Sequence, residues 1–184
     1  MALTETPICN FGEKAKNFNL KSTENKKVSL DDIRGDNGTL IMFICNHCPY
    51  VKAVVKDIVE DVKFLYTLGI KSAAIMSNDV KNYPDDSFEN MISFSKLHNF
   101  TFPYLIDETQ KTANEYGAVC TPDFFGYNKN LELQYRGRIR ELKNLKPVKQ
   151  GESDLKKAME MVAKSCKGPA NQIPSMGCNI KWFK

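Results

Sequence analysis

The chain has 184 residues, 42% of them hydrophobic and 26% charged, with a formal net charge of +4. That length suits one domain with a full core, and the composition excludes a disordered chain, a fibrous repeat and a cysteine-stapled miniprotein, for which six cysteines are too few. The mild charge argues against a dedicated nucleic-acid binder, and the longest dense apolar stretch, residues 40–45, is far too short to cross a membrane.

Residues 1–20 contain no signal-peptide core, so the chain reads as a cytoplasmic protein, a setting in which cysteines are more often catalytic or metal-binding than structural. The first fifteen residues read as a loose lead-in. Phe18 and Leu20 alternate with polar residues, and Lys26-Lys27-Val28 follows the turn-rich Ser22-Thr23-Glu24-Asn25, which predicts a hairpin of two short strands. Gly35-Asp36-Asn37-Gly38 is a turn. Residues 40–44 are continuously apolar, as a strand buried on both faces is.

After Cys48-Pro49 the period becomes helical. Val51, Val54, Val55, Ile58, Val62 and Leu65 share one face, Lys52, Lys56, Asp57, Glu60 and Lys63 lie opposite, and Gly69 stands where the helix ends. Residues 70–76 are the next buried strand. Asp86 and Glu89 have the spacing of a cap and its return, opening a helix that carries Phe88, Met91 and Ile92. Residues 102–106 read as a short strand. Asp107 and Gln110 repeat the cap pattern for a short helix closed by Gly117. Residues 124–127 and 131–135 flank Asn128-Lys129-Asn130 as a hairpin, and Ser153 caps a helix bearing Leu155, Ala158, Met159 and Val162. Strands alternating with helices predict an α/β fold, a central mixed sheet flanked by helices. Residues 1–166 form the domain, and residues 167–184, with Pro169, Pro174 and Gly177 and no period, form a tail packed on or near it.

The chemistry concentrates in Cys45-Asn46-His47-Cys48, between a buried strand and a long helix. A Cys-x-x-Cys pair in a βαβ setting is the signature of thioredoxin-like redox chemistry. Two cysteines at that spacing can close a small disulfide ring, and the unpaired amides of the first helical turn lower the pKa of a nearby thiol. Pro49 suits the first helical position, where its missing N–H costs nothing. One such pair is also half of a zinc or iron–sulfur set, which Cys120 and Cys178 could complete. His47, between the cysteines, would stabilise a neighbouring thiolate and make the disulfide more oxidising.

With these residues, Val28-Ser29-Leu30, Tyr116-Gly117-Ala118 and Thr121-Pro122, the chain resembles the peroxiredoxins, the alkyl hydroperoxide reductase and thiol-specific antioxidant family of thioredoxin-fold proteins. It is most similar to a peroxiredoxin-like subgroup marked by Asn46-His47-Cys48-Pro49-Tyr50, Ser77-Asn78-Asp79, Tyr83-Pro84-Asp85-Asp86-Ser87, Cys120-Thr121-Pro122-Asp123 and Pro174-Ser175-Met176-Gly177-Cys178. The resemblance implies a thioredoxin-like fold with a helical insertion around residues 86–102 and a C-terminal extension. It implies Cys45 as the attacking and Cys48 as the resolving cysteine of a dithiol pair, with Asn46, Pro49, Thr121 and Pro122 in support. It implies a cis Thr121-Pro122 bond that leaves the Thr121 backbone open to pair with a substrate chain.

Cys48-Pro49 equally matches the peroxide-reacting cysteine of peroxiredoxins. Those proteins carry a threonine three residues earlier, where this chain has Cys45, and an arginine that polarises peroxide, whereas residues 117–127 contain none and Arg136, Arg138 and Arg140 follow the hairpin. The expected function is thiol–disulfide oxidoreduction in redox homeostasis, without an organic cofactor or a metal, acting on a protein or small-molecule disulfide with a dithiol electron donor. A thiol peroxidase is the alternative, and a metal-binding or redox-sensing module a further one. Cys120 and Cys178 are candidate additional redox thiols, Cys9 and Cys166 have no motif around them, and a homodimer is plausible.

Overall fold

In the computed structural model, which describes residues 3–184, the first half of the chain runs β1 (Leu3–Glu5), β2 (Asn19–Ser22), β3 (Lys27–Ser29), β4 (Gly38–Phe43), α1 (Pro49–Thr67), β5 (Ile70–Met76) and, after a 3-10 turn at Pro84–Asp86, α2 (Phe88–Leu97). It continues through β6 (Tyr104–Ile106), α3 (Lys111–Tyr116), β7 (Cys120–Thr121), β8 (Asp123–Asn128), β9 (Leu133–Tyr135), the small hairpin β10 (Leu142–Lys143) and β11 (Lys146–Pro147), α4 (Asp154–Ser165) and β12 (Met176–Asn179).

Seven strands form one mixed sheet in the order β3-β2-β6-β5-β4-β8-β9. β4 lies inside it, parallel to β5 and antiparallel to β8, and is buried along its whole length. Its alternation divides the core. Leu40, Met42 and Ile44 face the layer of α1, α2 and α4, while Ile41 and Phe43 face Ala113 and Tyr116 of α3. α1 buries Val51, Val54, Val55, Ile58, Val62 and Leu65 against the sheet, each side chain contributing about 1.5–3 kcal/mol of gross hydrophobic stabilisation. The helix stops after Thr67, and Gly69, at φ 76°, supplies the left-handed residue that turns the chain into β5. No helix among the described residues is long and apolar enough to cross a membrane.

Several elements depart from the sequence pattern. The lead-in contains one short strand: β1 pairs with β12, which pairs in turn with β7, so the tail becomes the middle of a second, antiparallel sheet. An irregular apolar pattern hid it, because its partners are backbone groups 50 and more residues away. The cap of α2 is Ser87, whose side chain accepts the Asn90 N–H, and not Asp86, which is buried and turned towards the start of α1. The cap position of α3 is Gln110 and not Asp107: Asp107 accepts the Ala113 N–H from four residues before the helix, and the Gln110 side chain makes no cap bond but reaches to the carbonyls of Ser77 and Lys181. β6 begins at Tyr104, one residue after Pro103, which has no N–H to give a ladder. Asp57 is buried under Arg140 and Lys149 where a solvated face was expected, and Asp61 receives the Ser153 hydroxyl, so two carboxylates on α1 bind the α4 side of the molecule.

Gly177 measures how closely β12 lies on its neighbour. A Cβ there would fall 2.0 Å from the Thr121 carbonyl oxygen. Gly177→Ala is expected to destabilise the protein by about 1–3 kcal/mol, as overpacking does, seen as a lower denaturant midpoint. An unchanged midpoint would mean that β12 does not hold this position in solution.

Candidate active site

β4 delivers Cys45 two residues beyond its last residue, and α1 begins four residues after Cys45 with Pro49 in its first turn. Cys48 is the residue before the helix, in extended conformation, so its sulfur sits over the first turn of α1 where amide groups have no helical partner. Across from it lies the Thr121–Pro122 segment, whose peptide bond is cis. The Cys45 sulfur is 3.4 Å from the Thr121 hydroxyl, and the Cys48 thiol donates to the Thr121 carbonyl at 3.1 Å. Both sulfurs thus converge on Thr121, and all six cysteines are free thiols.

The pair divides its ionisation unequally. Cys48 is pulled from the ordinary 9.0 down to about 5, chiefly by the hydrogen bond from the Cys45 thiol, and further by the Val51 and Cys178 N–H groups and the Thr121 hydroxyl, against the opposing effect of burial. Cys45 is pushed well up by the same bond to Cys48, by burial and by the Asp86 charge. The carbonyl of Thr121 opposes a charge on Cys48, and the several donors outweigh it. The surrounding hydrogen bonds thus favour the charge on Cys48, the cysteine that the peroxiredoxin match points to, over Cys45. Both sulfurs are covered, Cys45 being 1% and Cys48 0% exposed.

Asp86 is the site residue that the sequence reading passed over as a helix cap. Its carboxylate accepts the backbone N–H groups of Asn46 at 2.8 Å and His47 at 3.2 Å, the His47 ring Nδ1 at 2.6 Å and the Asn78 side-chain amide at 2.8 Å. Burial would raise its pKa, but these donors hold it below the usual carboxylate value. Asp86 in turn raises the pKa of His47, which favours the imidazolium. His47 stacks on Tyr83 and lies with Nδ1 3.9 Å from the Cys45 sulfur. Asn46 is held by Tyr104, whose hydroxyl donates to its side chain at 2.9 Å, and by the Asp85 carbonyl. The signal was present in Tyr83-Pro84-Asp85-Asp86-Ser87, where a serine able to cap α2 directly follows the aspartate.

Cys45, His47 and Asp86 bring one ligand atom each within 4.8 Å of one another. Tetrahedral zinc ligands at about 2.0 Å from the ion stand more than 3 Å apart. The Nδ1–Oδ2 separation of 2.6 Å is that of a shared proton, so the three residues as arranged form an ion pair beside a thiol and not a ligand set. Cys120 does not join them. Its thiol donates to the Pro122 carbonyl at 3.6 Å, and burial pushes its pKa up. Cys178 does come to the site: it pairs with Thr121, whose carbonyl accepts the Cys48 thiol, and burial pushes its own pKa up to about 12. The Thr121 backbone is not open, as expected for a substrate chain, because Cys178 pairs with it in β12. Arg136 is committed elsewhere, to the buried Asp123 carboxylate at 2.9 Å and the Gly117 carbonyl at 2.7 Å.

A thioredoxin-like sheet, a thiol pair at the start of the helix after its central strand and a cis-proline segment across from them define a thiol-based oxidoreductase of the thioredoxin-fold class. The AhpC/TSA family model matches residues 11–142, and the chain belongs to that family. No curated protein matches the chain. Among solved structures, an uncharacterised conserved protein from Geobacillus kaustophilus is similar at 36% identity and a TM-score of 0.94, covering 100% of this chain and 97% of that one. A hypothetical protein from Sinorhizobium meliloti 1021 is 31% identical with a TM-score of 0.89 and 97% of each chain covered. A thiol:disulfide interchange protein of the thioredoxin family from Chlorobium tepidum TLS shares the fold at 16% identity and a TM-score of 0.62, over 83% of this chain and 97% of that one.

In the reduced protein, ultraviolet thiolate absorbance is expected to titrate with a midpoint of about 5 and to vanish in Cys48→Ser. Because Cys48 binds its proton more weakly folded than unfolded, stability should rise with pH between about 5 and the ordinary 9.0, and Cys48→Ser should flatten that slope. A thiolate midpoint near the ordinary value, carried by Cys45, would reverse the assignment.

Proposed function

We propose that the protein is a thiol–disulfide oxidoreductase in which Cys48 attacks and Cys45 resolves. The observation that carries this reading is the placement of both sulfurs against the cis Thr121–Pro122 segment at the head of α1, Cys45 at 3.4 Å from the Thr121 hydroxyl and Cys48 at 3.1 Å from the Thr121 carbonyl, with Cys48 the thiol whose pKa is lowered. The Cys48 thiolate attacks one sulfur of a substrate disulfide, a mixed disulfide forms, and the first substrate sulfur leaves as a thiolate. Cys45 then attacks the Cys48 sulfur, gives its proton to the departing second thiolate and closes the Cys45–Cys48 disulfide. The substrate has gained two electrons and the pair has lost two. A dithiol donor restores it, chemistry that suits a reducing compartment such as the cytoplasm.

Access requires motion. The Tyr83–Asp86 turn packs against His47 on one side and β12 against Cys48 on the other, so a reacting disulfide needs one of them displaced. A groove of about 370 Å³ lined by Tyr50, Pro122, Arg138, Arg140, Leu142 and Ser175 leads up to Pro122 from the outside, its two arginines paired with Asp154 and Asp57.

The same Cys48 thiolate could reduce a peroxide, passing through a sulfenic acid that Cys45 resolves. The engagement of Arg136 with Asp123 favours the disulfide reading, since that guanidinium is spent on a carboxylate and is not free to polarise a peroxide. Reduction of a model disulfide by the protein with a dithiol donor is expected to stop in Cys48→Ser and to stall at a mixed disulfide in Cys45→Ser. Stopped-flow peroxide consumption should be no faster than that of free cysteine. Rapid peroxide turnover without disulfide reduction would replace this function with a peroxidase.

His47 tunes the pair. Its positive charge stabilises the thiolate and hence the reduced form. His47→Ala should lower the reduction potential by on the order of 30 mV, the shift that about 1.4 kcal/mol produces in a two-electron couple. A potential that does not move would remove His47 from the redox chemistry.

A further inference from the structure

The tail does more than cover the domain. Residues 174–178 read Pro-Ser-Met-Gly-Cys, and β12 sets Cys178 directly opposite Thr121 in an antiparallel pair, with Asn179 opposite Cys120. Gly177 presses flat on the Thr121 carbonyl, and the Ser175 hydroxyl donates to the Pro122 carbonyl at 2.7 Å. Downstream, the Lys181 N–H donates to the Asn78 side chain at 2.8 Å, the Lys181 carbonyl accepts the Asp79 N–H at 2.8 Å, and the Phe183 N–H donates to Gln110 at 2.8 Å. Cys178 is therefore fixed on both sides. The Cys48 sulfur lies 3.1 Å from the carbonyl of Thr121, the residue that Cys178 faces across the strand pair, so the strand sets Cys178 beside Cys48.

A protein substrate recognised by strand addition would need this arrangement: main-chain hydrogen bonds to Thr121 hold the strand, and a cysteine at the paired position meets the reactive sulfur. We propose that β12 is a built-in substrate strand and that Cys178 exchanges disulfide with Cys48. The inference rests on the reading of Cys45 and Cys48 as a redox pair. Once that pair is oxidised, the Cys178 sulfur attacks Cys48. The Cys48–Cys178 bond forms, the Cys45–Cys48 bond breaks, and the proton lost by Cys178 ends on Cys45. The exchange is internal and redox-neutral, so no further oxidant is required. Its product ties the tail covalently to the start of α1 and returns Cys45 as a thiol.

Oxidised glutathione, followed by alkylation of the remaining thiols and mass-spectrometric mapping, tests this. The wild-type protein should yield a Cys48–Cys178 linkage beside Cys45–Cys48. In Cys45→Ser the glutathione adduct on Cys48 should be consumed by Cys178, leaving a Cys48–Cys178 disulfide and two glutathione thiols, whereas in Cys45→Ser/Cys178→Ser the adduct should persist. A Cys45→Ser protein that does not react, or that keeps its adduct with Cys178 alkylated, overturns the exchange, as does wild-type protein in which Cys45–Cys48 forms and Cys178 is always alkylated. That last result leaves the redox pair standing. Wild-type protein with all three thiols alkylated after the treatment overturns the pair and the exchange together.

Discussion

The thiol site depends on one buried carboxylate. Asp86 is taken from water entirely, which would cost several kcal/mol if it were left unpaired. Its donors are Asn46 N–H, His47 N–H, the His47 ring and Asn78, and the first three belong to the loop between β4 and α1. Satisfying the carboxylate is therefore the same event as folding that loop. The loop in turn fixes where Cys45 stands relative to Cys48. Asn78 extends the constraint, because its carbonyl oxygen receives the Lys181 N–H and so couples the Asp86 cluster to the tail.

Burial and reactivity work against each other at the sulfurs. A cysteine buried among apolar groups is ordinarily inert, because its thiolate has lost water without gaining donors. Cys120 illustrates that outcome: it is enclosed, hydrogen-bonded only as a donor, and raised in pKa. Cys48 is equally enclosed but stands where α1 presents unpaired amides, with Cys45 and Thr121 adding further donors. Both thiols donate to a carbonyl; what separates them is that donors also face Cys48, whereas Cys120 has burial and the Asp123 charge raising its pKa. Both sulfurs are closed off from solvent, so the site must open to react.

Much of this was legible in the residue pattern. The strands at β4 and β5, α1 from its valine spacing, the α4 cap at Ser153 and the position of Cys48 at the head of α1 all follow from local periodicity and capping chemistry. What escaped has a common cause. Asp86 satisfies a cap pattern, and Ser87 beside it satisfies the same pattern; only the loop 40 residues away decides which one caps. Asp57 sits at a polar position of the helical wheel, and Arg140, brought over by the chain after β9, buries it. β12 has no alternation because its partners are the short β1 and β7, and the first is at the other end of the chain. Which cysteine carries the charge also depends on distant groups, the N–H of Cys178 among them.

The departure of this chain from the peroxiredoxin pattern at position 45 acquires a physical meaning in that setting. A threonine hydroxyl three residues before the acidic cysteine could donate a hydrogen bond to its thiolate, and so can the Cys45 thiol, so the support for the charge survives the replacement. The sulfur adds what an oxygen cannot: it can form a bond to Cys48 and leave again. Replacement of one donor by another thus turns a residue that stabilises a thiolate into one that can also resolve it. The binding of Arg136 to Asp123 follows the same direction, since it removes a positive group from use on a peroxide and places it under β8 as a structural ion pair. Both features leave the fold and the sulfur at the head of α1 in place, and they are what the proposed disulfide chemistry rests on.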